Sequence, residues 1–475
     1  MRSLKLVAIL VAGPLFSSCM GAGMNMGGMG NMDGSPAIVE RPPSNAPWDV
    51  ARASDINASP AVVEVELEAR VAQIALLDGR FTTLWTYNGV LPGPVIEANV
   101  GDEIIVHFIN RLPEDTTIHW HGVRLPVEMD GIQNRVPPGG TFDYRFIARD
   151  AGTFWYHPHV RSEDQVRRGL YGVLRINGPL DGALPPGKPV VLSDALVDSQ
   201  GNLTAPTGMM TEMTGAQGNL LLVNGVLRPT LNVRAGEKVR LQFINAAASR
   251  YFRLVLPGHT LTLVGEDGAW LERPTPTQEL LLTPGQRADV VIEATGLPGA
   301  TLDLLSLPYD RSHASGSGAS SNLLRVRYSS DPAITTAALP QALAAIPELT
   351  GGSASRIIRL AESMNMSGVT FTINGRAFPD VPLITSRRMA EETWDIVNES
   401  AMDHPFHLHG FFFQVVQVGA QPAGHRAWRD TVNVPSNTTV RIKVSLDGFP
   451  GRWMYHCHIL GHAERGMMAE LQVAP

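Results

Sequence analysis

The stretch Tyr87-Asn88-Gly89-Val90-Leu91-Pro92-Gly93-Pro94-Val95-Ile96-Glu97-Ala98-Asn99-Val100-Gly101-Asp102-Glu103 returns as Val223-Asn224-Gly225-Val226-Leu227-Arg228-Pro229-Thr230-Leu231-Asn232-Val233-Arg234-Ala235-Gly236-Glu237. A fainter third copy starts at Ile373-Asn374-Gly375. Each copy is an Asn-Gly turn leading into alternating strands such as residues 103–109 and 238–244. Copies about one domain apart imply three related Greek-key β-sandwich domains. At 475 residues the chain is too long for one hydrophobic core, and few segments keep a helical apolar period, so the fold class is all-β. The expected bounds are 45–178, 185–330 and 353–475, with the Ala-, Thr- and Pro-rich segment 331–352 as a linker. The Ser/Gly-rich stretch 313–321 reads as a mobile surface loop.

Ten of the fourteen histidines fall into four short clusters. These are His119-Trp120-His121, His157-Pro158-His159, His404-Pro405-Phe406-His407-Leu408-His409 and His456-Cys457-His458 with His462, and Met467 lies five residues further on. Imidazole, thiolate and a distant thioether are the ligand set of a blue-copper electron-transfer site. The His-x-His and aromatic-hairpin motifs occur in domains one and three and not in domain two. A site built from them lies between the outer domains, with the middle one as spacer.

Strand geometry divides these ligands. Residues i and i+2 share a face and lie roughly 7 Å apart along the backbone, so one His-x-His pair suits two neighbouring metals better than one. Four converging pairs supply eight imidazoles, too many for one copper and well matched to a cluster of three. Cys457 projects to the opposite face from His456 and His458, where His404, His462 and Met467 complete a mononuclear site. The tripeptide therefore touches two metal centres, and electrons enter at one to be spent at the other.

Over nearly the whole mature chain these four motifs resemble the multicopper oxidase family, which includes laccases and bacterial cuprous oxidases. The resemblance implies cupredoxin-like domains and four copper ions. A type 1 copper would use His404, Cys457, His462 and Met467, and a type 2 copper His119 and His407. The type 3 pair would use His121, His157 and His458 on one ion, and His159, His409 and His456 on the other. It further implies that four one-electron oxidations are coupled to reduction of dioxygen to water. Phenols, aromatic amines, Cu(I) or Fe(II) would be the donors. Protons are consumed, and Asp130, eleven residues after His119, stands where similar bacterial enzymes place a relaying carboxylate. The plain alternative for Asp130 is a surface Asp before a Gly turn. Many relatives carry an acidic residue directly after the last type 1 histidine; here Ala463 takes that place and Glu464 follows.

A net charge of -7 with 17% charged residues leaves no basic stripe for a nucleic acid. Basic Arg2 and Lys5, the apolar run 6–16 and small Ser17 and Ser18 before Cys19 read as a signal peptide, too short to span a membrane. Residues 16–19 also resemble a bacterial lipobox, which makes Cys19 a candidate lipid anchor; cleavage downstream is the alternative. With no twin-Arg pair, the general secretory route to the periplasm or cell envelope is expected. Metal claims Cys457, so no disulfide framework is expected from the chain's two cysteines. A monomer is expected.

Residues 20–33 are almost all Gly, Asn and Met, and the segment 20–44 is expected to be a disordered tail, either a tether or a copper-gathering segment with soft thioether ligands. Met402, Met364, Met366, Met209, Met210 and Met213 read either as adaptable packing or as metal contacts near the type 1 site. His107, His259, His313 and His425 have no expected catalytic role. The functional classes left are a broad laccase-like oxidase, a cuprous oxidase serving copper tolerance and a non-enzymatic copper store. A copper nitrite reductase, with fewer catalytic histidines and two such domains, is disfavoured.

Overall fold

In the computed structural model, which describes residues 36–313, 318–352, 354–365 and 368–475, the Asn-Gly dipeptides of the three repeat copies form the same turn. Both residues have positive φ in each copy: 56° and 76° at Asn88 and Gly89, 50° and 77° at Asn224 and Gly225, 51° and 76° at Asn374 and Gly375. In each copy the Asn Oδ1 accepts a backbone N–H from the first strand of its domain, from Glu68, Val191 and Arg359 respectively. The chain crosses from one sheet of a sandwich to the other just after each turn, so the repeat marks the sheet crossing. Arg80–Tyr87 and Gly93–Asn99, on either side of the first turn, lie in different sheets.

Six sheets result. In the first domain one sheet has the order Arg80–Tyr87, Val62–Leu77, Glu103–Asn110, Thr141–Ile147. The other has the order Gly93–Asn99, Gly172–Asn177, Gly152–His157, His119–His121. The middle domain has seven- and five-stranded sheets and the third six- and five-stranded ones, so all three are cupredoxin-like sandwiches. Among the described residues three short α-helices punctuate them: α1 (Ser162–Arg167), α2 (Met209–Thr214) and α3 (Leu460–Glu464). No helix among the described residues is long and apolar enough to cross a membrane.

The cores show how the domains are fastened. One continuous apolar cluster runs from Leu67 and Phe108 in the first domain to Trp394 and Cys457 in the third, so these two share buried surface. The middle domain has its own core, which includes Trp48. Residues 36–48, read from composition as the end of the tail and the start of domain one, instead run along the middle domain: the Val39 N–H bonds Asn219 O, and Trp48 Nε1 donates to Thr230 O at 3.0 Å. Segment 331–352 carries neither helix nor strand, and it packs down through buried Ile346 and Leu349. The signal segment, Cys19, the Met-rich stretch 20–33, Met366 and part of the 313–321 loop lie outside the described residues.

Candidate metal centre

The strand carrying His404 pairs antiparallel with the strand ending at Cys457, and the register decides which side chains face which site. His407 lies opposite His456, and Phe406 opposite Cys457. Directly opposed residues share a face, so His407 and His456 point one way while Cys457 points the other. In the first domain His119 lies opposite His157 and His121 opposite Trp155, which turns one histidine face towards the third domain. His119 then stacks on His409 at 3.9 Å between ring centroids, and His121 on His407 at 3.8 Å.

Donor atoms meet within 4.8 Å in His119/His121/His407, His121/His157/His458, His159/His409/His456, His404/Cys457/His462 and His119/Asp130/His409. The second, third and fourth are sets that the resemblance implies, and the first adds His121 to His119 and His407. Met467 is fully buried beside the last histidine group: its carbonyl accepts the Cys457 N–H and its N–H bonds His462 O.

Hydrogen bonds fix which ring nitrogen each histidine presents. Carbonyl oxygens can only accept, so the bonds from His119 Nδ1 to Asp130 O (3.0 Å), His157 Nδ1 to Pro158 O (3.0 Å), His407 Nδ1 to Asp430 O (2.9 Å) and His456 Nδ1 to Cys457 O (2.9 Å) place the proton on Nδ1. His409 Nδ1 donates to Asp130 Oδ2 at 2.9 Å. In His121 the roles reverse, because Nε2 faces Asp430 Oδ1 at 3.1 Å. His462 Nε2 donates to Met213 O at 3.0 Å, and His404 Nε2 meets the Ser400 hydroxyl at 2.7 Å. Such outer bonds orient metal-binding imidazoles.

The freed nitrogens are buried lone pairs with nothing to accept from. His119 Nε2, His121 Nδ1, His157 Nε2, His407 Nε2 and both His458 nitrogens have no hydrogen-bond partner. Lone pairs even face one another: His409 Nε2 lies 3.0 Å from His456 Nε2, and His404 Nδ1 lies 3.2 Å from His462 Nδ1, with Cys457 Sγ 3.5 and 3.8 Å away. Clustered acceptors without a proton between them repel unless a cation joins them. Burial also holds these imidazoles neutral: it pushes His404 down to about 3 and His121, His157, His159, His409, His456, His458 and His462 well below the ordinary value, with neighbouring rings adding to the effect in most. Burial raises the Cys457 thiol, so a metal must displace its proton. The donor set therefore fits copper on both faces of the His456-Cys457-His458 strand.

The sequence places these ligands in one family, and comparison agrees. Profiles described as multicopper oxidase match residues 68–181, 181–300 and 354–475. The multicopper oxidase MmcO of Mycobacterium tuberculosis is 30% identical, over 83% of this chain and 84% of its own length. The chain belongs to the multicopper oxidase family. Laccase-1 of Cryptococcus neoformans var. grubii is 28% identical over 85% of this chain and 79% of its own. Among solved structures, a multicopper oxidase from Campylobacter jejuni, titled a metallo-oxidase, superposes with a TM-score of 0.84 at 30% identity, covering 91% of this chain and 96% of that one. A laccase-like multi-copper oxidase from Ochrobactrum sp., titled as active towards lignin model compounds, gives 0.81 at 26% identity, covering 90% and 100%. Membership makes the chain an oxidoreductase that uses copper, oxygen and an electron donor.

Around this multicopper oxidase centre the expected carboxylate is present. Asp130 is buried, and Gly131 at φ +81° makes the turn that delivers it, because a Cβ there would sit 1.8 Å from Ile118 O. Asp130 Oδ1 has no hydrogen-bond donor; His119 Nδ1 is 3.2 Å away, but its proton is aimed at the backbone oxygen. Glu464 is engaged elsewhere, accepting the Glu163 N–H and the Ser162 hydroxyl of α1. His107, His259, His313 and His425 are each tied to a carboxylate or to the Tyr328 hydroxyl.

One residue of the centre gave no sequence signal. Asp430, which serves both His121 and His407, sits in no short motif. Helix α2, from the middle domain, covers His462: Met213 is buried, Met209 and Met210 are exposed, and Phe371 stacks on the other face of the ring at 3.9 Å. Met402 is fully buried and Met364 exposed.

Proposed function

We propose that this chain couples four one-electron donor oxidations at a type 1 copper to the reduction of dioxygen to water at a three-copper cluster. His404, Cys457, His462 and Met467 hold the first ion; His119 and His407 the type 2 ion; His121, His157, His458 and His159, His409, His456 the type 3 pair. Copper supplies the one-electron redox chemistry at both sites. What carries the reading is the register of the third domain: with His407 opposite His456 and Phe406 opposite Cys457, adjacent residues of one strand serve the two sites. Cys457 joins them through a few covalent bonds. Met213 O and Phe371 keep water from His462. Asp130 holds two cluster histidines and offers the buried Oδ1 as a proton carrier. An oxygen electrode tests the coupling with copper-loaded protein: one dioxygen consumed per four donor equivalents, without peroxide, supports it, whereas accumulating peroxide contradicts it.

The donor is phenolic or aromatic-amine in a laccase-like reading and Cu(I) in a cuprous oxidase reading. One observation favours a metal-ion donor. A phenol cannot hydrogen-bond His462 Nε2 while the Met213 carbonyl occupies it, whereas Met209 and Met210 display soft thioethers on the outside of the same short helix.

A further inference from the structure

The middle domain contributes no histidine to the cluster, yet one of its turns reaches into it. Gly285, at φ +88°, lies so close to the cluster that a Cβ would meet His458 at 2.9 Å and His121 at 3.1 Å. Two residues on, Arg287 is 1% exposed and grips Asp430, itself fully buried, with both prongs of its guanidinium: Nη1 to Oδ1 at 2.7 Å and Nη2 to Oδ2 at 2.6 Å. The same guanidinium donates to Gly285 O at 3.2 Å and to Thr153 O at 3.4 Å, on the strand that carries His157. Asp267 Oδ1 accepts the Arg287 N–H at 3.1 Å. Groups from all three domains thus meet at one arginine.

Asp430 connects Arg287 to the cluster. Its Oδ1 takes the proton of His121 Nε2 and its carbonyl takes that of His407 Nδ1. Of the cluster histidines whose second nitrogen is held by such a bond, His121 alone presents Nδ1. With Arg287 donating to both carboxylate oxygens, Asp430 is held in the orientation in which its Oδ1 accepts from His121. We propose that Arg287 is a positioning residue of the cluster: its two-pronged hold on Asp430 fixes the tautomer and orientation of His121 and so readies the cluster for copper. The proposal rests on the copper-ligand reading above. It makes the middle domain part of the centre rather than a spacer.

The discriminating variant is Arg287→Lys, which keeps the charge but cannot hold two carboxylate oxygens in a fork. Copper per chain, blue absorption, and the type 2 electron paramagnetic resonance signal are measured on purified protein after loading. The His121 tautomer is read by nitrogen-15 NMR in the metal-free state. Arg124→Lys is the control, because Arg124 also bridges the first and third domains, through Asp150 and Asp447. Arg287→Lys is expected to keep the blue absorption, lose one or more of the cluster ions relative to wild type and move the His121 proton partly to Nδ1; Arg124→Lys is expected to load fully. A full copper complement with an unchanged type 2 signal in Arg287→Lys overturns the proposal. So does equal loss in Arg124→Lys, or loss of blue absorption along with the cluster, which would make Arg287 a folding residue. Wild-type protein that binds no cluster copper would instead refute the ligand reading, and the metal-free NMR comparison would still judge Arg287.

Discussion

Removing the metal should make this fold acutely sensitive to mild acid. Seven of the buried histidines are held well below their ordinary value by burial, and His404 is pushed down to about 3, so His404 stays neutral in the fold at pH 5.5 and the other seven are biased the same way. Each takes up its proton more readily on unfolding. Their contribution is therefore complete above pH 6.5 and lost as pH falls towards the folded values. A group held at about 3, as His404 is, accounts for about 1.4 kcal/mol between pH 7.5 and 5.5, and the other seven act in the same direction, against a domain stability of about 5–15 kcal/mol. Guanidinium unfolding of chelator-treated protein, followed by far-ultraviolet circular dichroism at pH 7.5, 6.5 and 5.5, measures this directly. The metal-free fold should lose stability steadily over that range, and copper-loaded protein should survive to lower pH because the ions bind only the folded state. A change below about 1.4 kcal/mol over that range, the contribution of His404 alone, would refute the reasoning.

Three further outcomes are expected. Asp130→Asn should slow reoxidation of the reduced enzyme by dioxygen by roughly a hundredfold while leaving reduction of the blue copper by donor intact; equal half-reaction rates in stopped flow would remove Asp130 from the proton route. Gly131→Ala, whose Cβ meets Ile118 O at φ +81°, should cost at least about 2 kcal/mol in denaturant unfolding and lower copper per chain by displacing Asp130; a wild-type-like protein would show the turn to be dispensable. Met209→Leu with Met210→Leu should lower kcat/KM for Cu(I) roughly tenfold and leave that for a phenol unchanged; a parallel fall in both would assign α2 to general access.

How much was legible from sequence follows the range of each interaction. The Asn-Gly turns could be read because the requirement for positive φ is local, and they returned at Asn88, Asn224 and Asn374 with one geometry. The metal ligands could be read because the two-residue period of a strand separates Cys457 from His456 and His458 without any tertiary knowledge. The rest depends on groups far apart in the chain. Asp430 meets Arg287 across 143 residues, and Met213 O meets His462 across 249, so no local pattern announces either contact. Trp48 looked like the start of the first domain because composition changes there, whereas its indole is spent on the middle domain's core. Glu464 invited a catalytic reading by its place in the chain, but its carboxylate is taken by the first turn of α1.

The claim that Cys457 joins two copper sites through the peptide it shares with His456 and His458 has a direct test. Cys457→Ser, loaded with copper, should lose the blue absorption and turnover on phenolic donors while keeping the type 2 paramagnetic signal, because the histidines on the opposite face are untouched. Substantial turnover in that variant would contradict the account.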